Sequence, residues 1–309
     1  MTPSLTPGQQ DIRDGVLKIC ARFGDDYWLA RDTDGHFPHE FHKALAQAGW
    51  LGIAMPEAYG GSGLGITEAA LMMQAIAESG AAFSGASAVH MNIFGLNPVV
   101  RFATEEQKQR FLPPLIAGTE KACFAVTEPN AGLDTTRLKT RAVRHGNGYA
   151  VHGQKVWIST AQVAERVLLL ARTTPLEEVN KKTEGLSLFY TTLDRAHVEV
   201  RVIDKMGRKA VDSNQLFFDG MPVPLEDRIG EEGKGFEYIL HGMNPERILI
   251  AAEAVGVGRA ALARAARYAK EFHVERLLRE VMIARIAPVS RELILCNIAE
   301  KVLDLPKSY

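Results

Sequence analysis

Apolar residues recur at helical spacing through the first third of the chain, change to short alternating or continuous apolar runs through the middle, and return to helical spacing after Phe236. Ile12, Val16, Ile19, Cys20 and Phe23 trace one face of a first helix, and Thr6-Pro7-Gly8-Gln9 before them has the form of a capping box with proline in the first turn. The spacing predicts further helices over about 38–48, 65–79, 84–103 and 105–117. From Lys121 the character changes: 149–157, 167–172, 186–190, 198–202 and 215–219 are strand-like runs separated by Gly, Asn, Pro and charged turns. They predict a β-barrel or sandwich. Beyond Phe236, Ile239, Leu240, Met243, Ile248, Leu249, Ala252 and Val255 lead into an alanine-rich run to Glu271, and Val274, Leu277, Leu278, Val281, Leu293, Ile294, Ile298 and Val302 continue the helical pattern. The expected fold class is therefore α+β and multidomain, with a helical domain at 1–120, a β domain at 121–230 and a helical bundle at 231–309.

Composition adds limits. At 309 residues, 46% hydrophobic and 24% charged, the chain is globular and long enough to bury more than one core. A formal charge of -1 with no basic block argues against nucleic acid or an anionic membrane surface as partner, so an acidic ligand would need local positive charge. No apolar run reaches the length of a membrane span, and Met1-Thr2-Pro3-Ser4-Leu5 lacks a targeting pattern; a cytoplasmic location is expected. Cys20, Cys123 and Cys296 are far apart and odd in number, which reads as reduced thiols with no metal role.

Candidate chemistry concentrates between Phe124 and Ser159. One apolar run, Phe124-Ala125-Val126, ends in Thr127-Glu128-Pro129-Asn130-Ala131-Gly132-Leu133-Asp134, and a second, Gly153-Gln154-Lys155-Val156-Trp157-Ile158-Ser159, carries an aromatic beside hydroxyls. Two core strands of an antiparallel sheet would read this way; so would an aromatic face with hydroxyl and backbone donors for a planar heteroaromatic cofactor. The glycine-rich loops at 55–64 and 230–235 imitate phosphate cradles, but the second lacks a Lys-Ser/Thr ending and both read as turn clusters.

Thr127-Glu128-Pro129-x-Ala131-Gly132-x-Asp134 and Gln154-Lys155-x-Trp157-Ile158-Ser159 resemble the two flavin-binding signatures of the acyl-CoA dehydrogenases. Pro56-Glu57-Ala58-Tyr59-Gly60-Gly61-Ser62-Gly63, Lys205-Met206-Gly207 and Gly233-Lys234-Gly235-Phe236 agree with that family in the same order. The resemblance implies FAD between the β domain and the last helical domain, an acyl-CoA substrate, electron-transfer flavoprotein as acceptor and a homo-oligomer, dimer or tetramer. It assigns Phe124, Val126, Thr127, Gly132 and Ile158 to the flavin, Trp157 to its face, and Ser159, where threonine is commoner, to its rim. Leu133 stands where relatives carry a serine that contacts flavin or acyl-CoA, so a donor is lost there.

The family reaction needs a base for the carbon beside the thioester carbonyl, and a carboxylate raised by burial suits it. Glu246, in Met243-Asn244-Pro245-Glu246-Arg247, resembles the base of isovaleryl- and some long-chain acyl-CoA dehydrogenases. Asn244 is expected to cap a helix with Pro245 first inside it; Asn244 and Arg247 are expected to help hold substrate, and Arg247 to steady the carboxylate. A second base position of the family is filled here by 286–290, Ile-Ala-Pro-Val-Ser, with no acid.

One departure is large. Tyr268-Ala269-Lys270-Glu271 runs directly into Val274-Glu275-Arg276, whereas relatives insert two helices and a glycine-rich turn between such segments. The C-terminal bundle is expected to be truncated, with apolar faces uncovered and flavin held less firmly. The leading expectation is an FAD-dependent acyl-CoA dehydrogenase; the alternatives are a non-catalytic remnant acting as a binding protein, and a flavin oxidase or monooxygenase.

Overall fold

A computed structural model describes residues 5–132, 134–281 and 291–306. The chain divides into two compact units, Met1–Val257 and Gly258–Tyr309.

The first unit opens with helices α1 (Pro7–Cys20), α2 (Asp25–Asp34), α3 (His39–Gln47), α4 (Ile66–Ile76), α5 (Ala82–His90), α6 (Asn97–Phe102) and α7 (Glu105–Ile116). The Thr6 hydroxyl accepts from the Gln9 backbone while the Gln9 side chain returns to the Thr6 backbone, so the capping box forms as its spacing predicts. Thr104 and Gln107 repeat the device at α7. Val16, Phe41, Leu45, Met72, Met73 and Ile76 are fully buried in one core, each contributing roughly 2 kcal/mol by area, and Leu249 closes it. Helix α2 has no counterpart in the apolar pattern because Trp28 is its one buried residue; its acidic first turn and left-handed Gly35 at the end delimit it instead. The expected helix over 84–103 is broken by a run of turns at 91–96, and Pro98 falls in the first turn of α6, where its missing N–H costs nothing.

The middle of the unit is β1 (Ala122–Ala125), β2 (Arg141–His145), β3 (Gly148–Ser159), β4 (Arg166–Arg172), β5 (Leu186–Thr192), β6 (Val198–Val202), β7 (Ser213–Pro224) and β8 (Arg228–Ile229). The order is β6-β7-β3-β2-β4-β5-β8, with β1 parallel to β4. The two halves meet through a single pair, Arg141 opposite Arg172, and enclose a core shared by Val151, Ile158, Leu216 and Met221 with Val167, Leu169 and Phe189. The strand pattern predicts a barrel or sandwich, and the strands form one eight-stranded sheet folded over this core. Val167, Leu169 and Ala171 face this core while Leu168 and Leu170 face the helices through Phe111 and Leu112, so β4 is buried on both sides and reads as an unbroken apolar run.

Both glycine-rich loops are structural. Ser62, Gly63 and Leu64 donate their backbone N–H groups to the carbonyls of Gly52, Met55 and Ile53. Gly235 lies so close to β5 that a Cβ there would stand 2.5 Å from the Leu188 nitrogen. It opens α8 (Gly235–Glu271), which runs unbroken through Pro245. Asn244 is consequently no N-cap. Burial of Tyr238, Ile239, Gly242 and Leu249 outweighs the hydrogen bond that the proline removes.

The second unit contains the end of α8, α9 (Val274–Val281) and α10 (Arg291–Lys301). Leu262, Tyr268, Phe272 and Leu277 are exposed in it. Among the described residues no helix is long and apolar enough to cross a membrane.

Candidate active site

The two signature stretches lie side by side and are bolted together from beneath. Lys155 is fully buried, and its Nζ donates to Glu128 Oε1 and to the Val126 carbonyl, both at 2.9 Å. The Glu128 carboxylate also accepts from the backbone N–H of Lys139 at 2.6 Å and of Thr140 at 2.9 Å. Burial pushes the Lys155 ammonium down to about 8. For Glu128 burial works upward, yet Lys155 and the backbone donors outweigh it and hold the carboxyl below its usual range. Val156 N–H donates to the Thr127 carbonyl at 3.0 Å, and Gly153 approaches Thr140 so closely that a Cβ would meet its Cα at 2.6 Å.

On that base the strand throws its aromatic outward. Between Lys155 opposite Leu216 and Ile158 opposite Asn214 the pairing of β3 with β7 shifts register, which is a β-bulge. Trp157 sits in it with φ 64, a left-handed backbone rare for a bulky residue, and its side chain is 62% exposed. Strain of this kind persists where surrounding structure enforces it, and here it presents a bare indole. Gly132 is exposed too, with nothing within 4 Å of where a Cβ would stand. Phe124 packs on Phe94 with ring centroids 5.6 Å apart, and Val126 is buried with its carbonyl committed to Lys155. The Ile158 side chain points into the β-domain core and its carbonyl accepts from Asn214, because the bulge turns Trp157 out and Ile158 in. Leu133 lies outside the described residues.

The Ser159 hydroxyl accepts from Arg208 Nη2 at 3.0 Å, and Arg208 Nη1 donates to Ser87 Oγ on α5 at 3.0 Å. The sequence reading did not single out Arg208, although it directly follows the Lys205-Met206-Gly207 motif that was noted.

Glu246 comes from α8. It is half-buried and, among the described residues, makes no hydrogen bond or ion pair. Burial pushes its carboxyl above the usual range, with Glu253 adding to the rise and His90 and Arg247 opposing it. A free, raised carboxylate on a helix face is equipped to accept a proton. Arg247 turns to Asn244, donating to its Oδ1 at 3.0 Å, and both are exposed. Two turns along the same face, Glu253 is fully buried with its Oε1 2.6 Å from His90 Nδ1. The residues at 286–290 lie outside the described residues.

An exposed indole with a hydroxyl neighbour and open space at a glycine fits a flat ring system, and the same residues fit FAD. Models of the acyl-CoA dehydrogenase N-terminal, middle and C-terminal domains match residues 6–119, 123–221 and 233–274. The probable acyl-CoA dehydrogenase YngJ of Bacillus subtilis (strain 168) is 33% identical over 277 residues, 88% of this chain and 70% of that protein. Butyryl-CoA dehydrogenase from Megasphaera elsdenii superposes with a TM-score of 0.80 at 30% identity, over 87% of this chain and 70% of that one. A chain from the structure of the electron transferring flavoprotein of Acidaminococcus fermentans does so with a TM-score of 0.78 at 31% identity, over 88% and 70%. This chain thus spans about 70% of the length of these relatives, and its C-terminal family match stops at 274, where the segment expected to be missing would begin.

Proposed function

The chain belongs to the acyl-CoA dehydrogenase family, oxidoreductases whose cofactor is FAD, and on that premise we propose that it dehydrogenates an acyl-CoA thioester to the trans-2-enoyl-CoA with Glu246 as the base. The observation that carries this reading is the half-buried Glu246 carboxylate, without a hydrogen bond or ion pair among the described residues and raised chiefly by burial, in the same unit as the exposed indole of Trp157. The carboxylate would take the proton from the carbon beside the thioester carbonyl. FAD, when bound, supplies the acceptor for the hydride that leaves the next carbon. The double bond forms between the two, and the enoyl product carries two hydrogens fewer.

Phe124, Val126 and Thr127 would lie at the edge of the flavin ring, Trp157 at its face and Ser159 at its rim, with Gly132 beside them, while Glu128 and Lys155 keep the two stretches that carry them in register. Exclusion of water matters because the α-proton is weakly acidic and the base works only when poorly solvated. Leu249, three residues after Glu246 on α8, is fully buried in the helical core, and burial is what raises the Glu246 carboxyl. Asn244 and Arg247 are proposed to contact substrate from the exposed side of α8. Electron-transfer flavoprotein as acceptor, and assembly as a homo-oligomer, complete the reading.

A second reading has its own support. The C-terminal family match stops at 274, and Tyr268-Ala269-Lys270-Glu271 runs almost directly into Val274-Glu275-Arg276, which favours a remnant that binds flavin or acyl-CoA poorly. One visible spectrum separates the two. Purified protein with a flavin band that bleaches on adding a mixture of acyl-CoAs supports the dehydrogenase; a colourless preparation that stays unchanged after FAD and acyl-CoA are supplied supports the remnant.

A further inference from the structure

Arg208 is a cation for which the proposed reaction has no task. It is half-buried, with a left-handed backbone at φ 56, and its guanidinium bridges two neutral oxygens, Ser87 Oγ on α5 and Ser159 Oγ on β3. Among the described residues it forms no ion pair; the charges of Glu253 and then Asp212 act on it without contact, and Glu253 places its Oε1 2.6 Å from His90 Nδ1. A guanidinium has five N–H donors, and the two serines take two of them. A cation taken from water without a partner is costly, so a site that holds one commonly serves an anion.

A cavity opens beside it, in which, among the described residues, Arg208 is the one cationic group and Asp32 the one acidic group. Arg208 and Ser87 line a cavity of about 520 Å³ together with Trp28, Phe83, Ser84 and Ile250. Asp32 and Gly207 also reach it. Ser159 does not line the cavity, so the guanidinium has the proposed flavin rim on one side and this space on the other. Ile250 is four residues after Glu246 and therefore on the same helix face, one turn away. In the cavity that Ile250 lines, Trp28, Phe83 and Ile250 suit methylene groups, and the guanidinium does not. An unsubstituted alkyl tail would cover Arg208 and leave its remaining donors unmet. A tail ending in a carboxylate would meet them with charge-assisted hydrogen bonds.

We propose that Arg208 is the anion-recognising residue of an acyl subsite and that the substrate is the CoA thioester of a dicarboxylic acid, whose free carboxylate binds the guanidinium. The proposal rests on the acyl-CoA reading of the site. Ser87 and Ser159 act as positioning residues that hold the fork toward the cavity.

The test is calorimetric binding to the full chain, which needs no turnover. Glutaryl-, adipoyl- and suberoyl-CoA are each compared with the alkanoyl-CoA of the same carbon number, on the wild type, Arg208→Met and Arg208→Lys. The expected result is a preference of about tenfold or more for the carboxylated ligand at one length or more. Arg208→Met should erase it by weakening the carboxylated ligand alone, and Arg208→Lys should retain part of it. Should Arg208→Met fail to fold by circular dichroism, the lysine variant carries the test and must lower the preference. Equal binding of the paired ligands by the wild type, or a preference that survives Arg208→Met, overturns the proposal and leaves the acyl-CoA reading standing. Failure of every thioester to bind overturns both.

Discussion

Lys155 Nζ lies 2.9 Å from Glu128 Oε1, with the lysine fully buried and the glutamate nearly so. The pair joins the loop after β1 to the middle of β3, and with it the two stretches that would hold the cofactor. Breaking a buried pair by removing one partner leaves an uncompensated charge, which typically costs about 3–5 kcal/mol. Lys155→Met and Glu128→Leu should each lower unfolding stability by about that amount, and the double variant should recover much of it. Denaturant titrations arranged as a double-mutant cycle measure this; single variants that cost well under about 1 kcal/mol would show the pair to be incidental.

Trp157 combines a strained backbone with an exposed side chain. Left-handed φ at a bulky residue costs of order 1–3 kcal/mol, and a side chain 62% exposed returns little packing energy. Trp157→Gly should therefore raise thermal stability of the flavin-free protein while weakening FAD affinity, seen as a higher melting temperature together with faster flavin loss on dialysis. A variant that loses stability and keeps its flavin would mean that the indole serves the fold.

Glu246 should leave two pH signatures. Its carboxyl is pushed above the ordinary range mainly by burial, and proton abstraction requires the ionised form, so the acid limb of kcat/KM should lie at higher pH than for an ordinary carboxylate. In stability the sign is opposite. A raised folded-state pKa means that the folded protein holds its proton more tightly than the unfolded chain, so the contribution is fully present below the ordinary carboxylate pKa and is lost as pH rises through the folded value. Glu246→Gln should stabilise the protein at neutral pH, and the gain should vanish under acid conditions where both forms are neutral. Equal gains at both pH values would point to packing.

Much of the fold was legible because the periodicities differ so clearly. Thr6 with Gln9 and the apolar face of α1 could be read directly, and so could the doubly buried run of β4. Helix α2 could not, since a short charged segment with one buried tryptophan carries almost no period. Asn244-Pro245 looked like a helix start because capping chemistry is local, whereas the burial of Tyr238 and Leu249 that carries α8 through the proline is not. At the site, the motifs named Trp157 and Glu128 but not what they do. The bulge that exposes the indole depends on register with β7, and Glu128 meets Lys155 across 27 residues. The family signature names Ile158 beside Trp157 and Ser159 without saying which way its side chain turns, and the same bulge sends that side chain into the core. Arg208 escaped because its serines lie 121 and 49 residues away in sequence.

In the proposed reaction Glu246 accepts the α-proton. Anaerobic mixing of the FAD-loaded protein with an acyl-CoA it binds, followed at the oxidised flavin band, tests it most directly. Rapid bleaching is expected in the wild type and, in Glu246→Gln, bleaching slowed by about 10³-fold or more with the flavin spectrum and acyl-CoA binding intact, in line with removal of a general base together with its charge. Bleaching at the wild-type rate in Glu246→Gln would contradict it and place the base elsewhere in the chain.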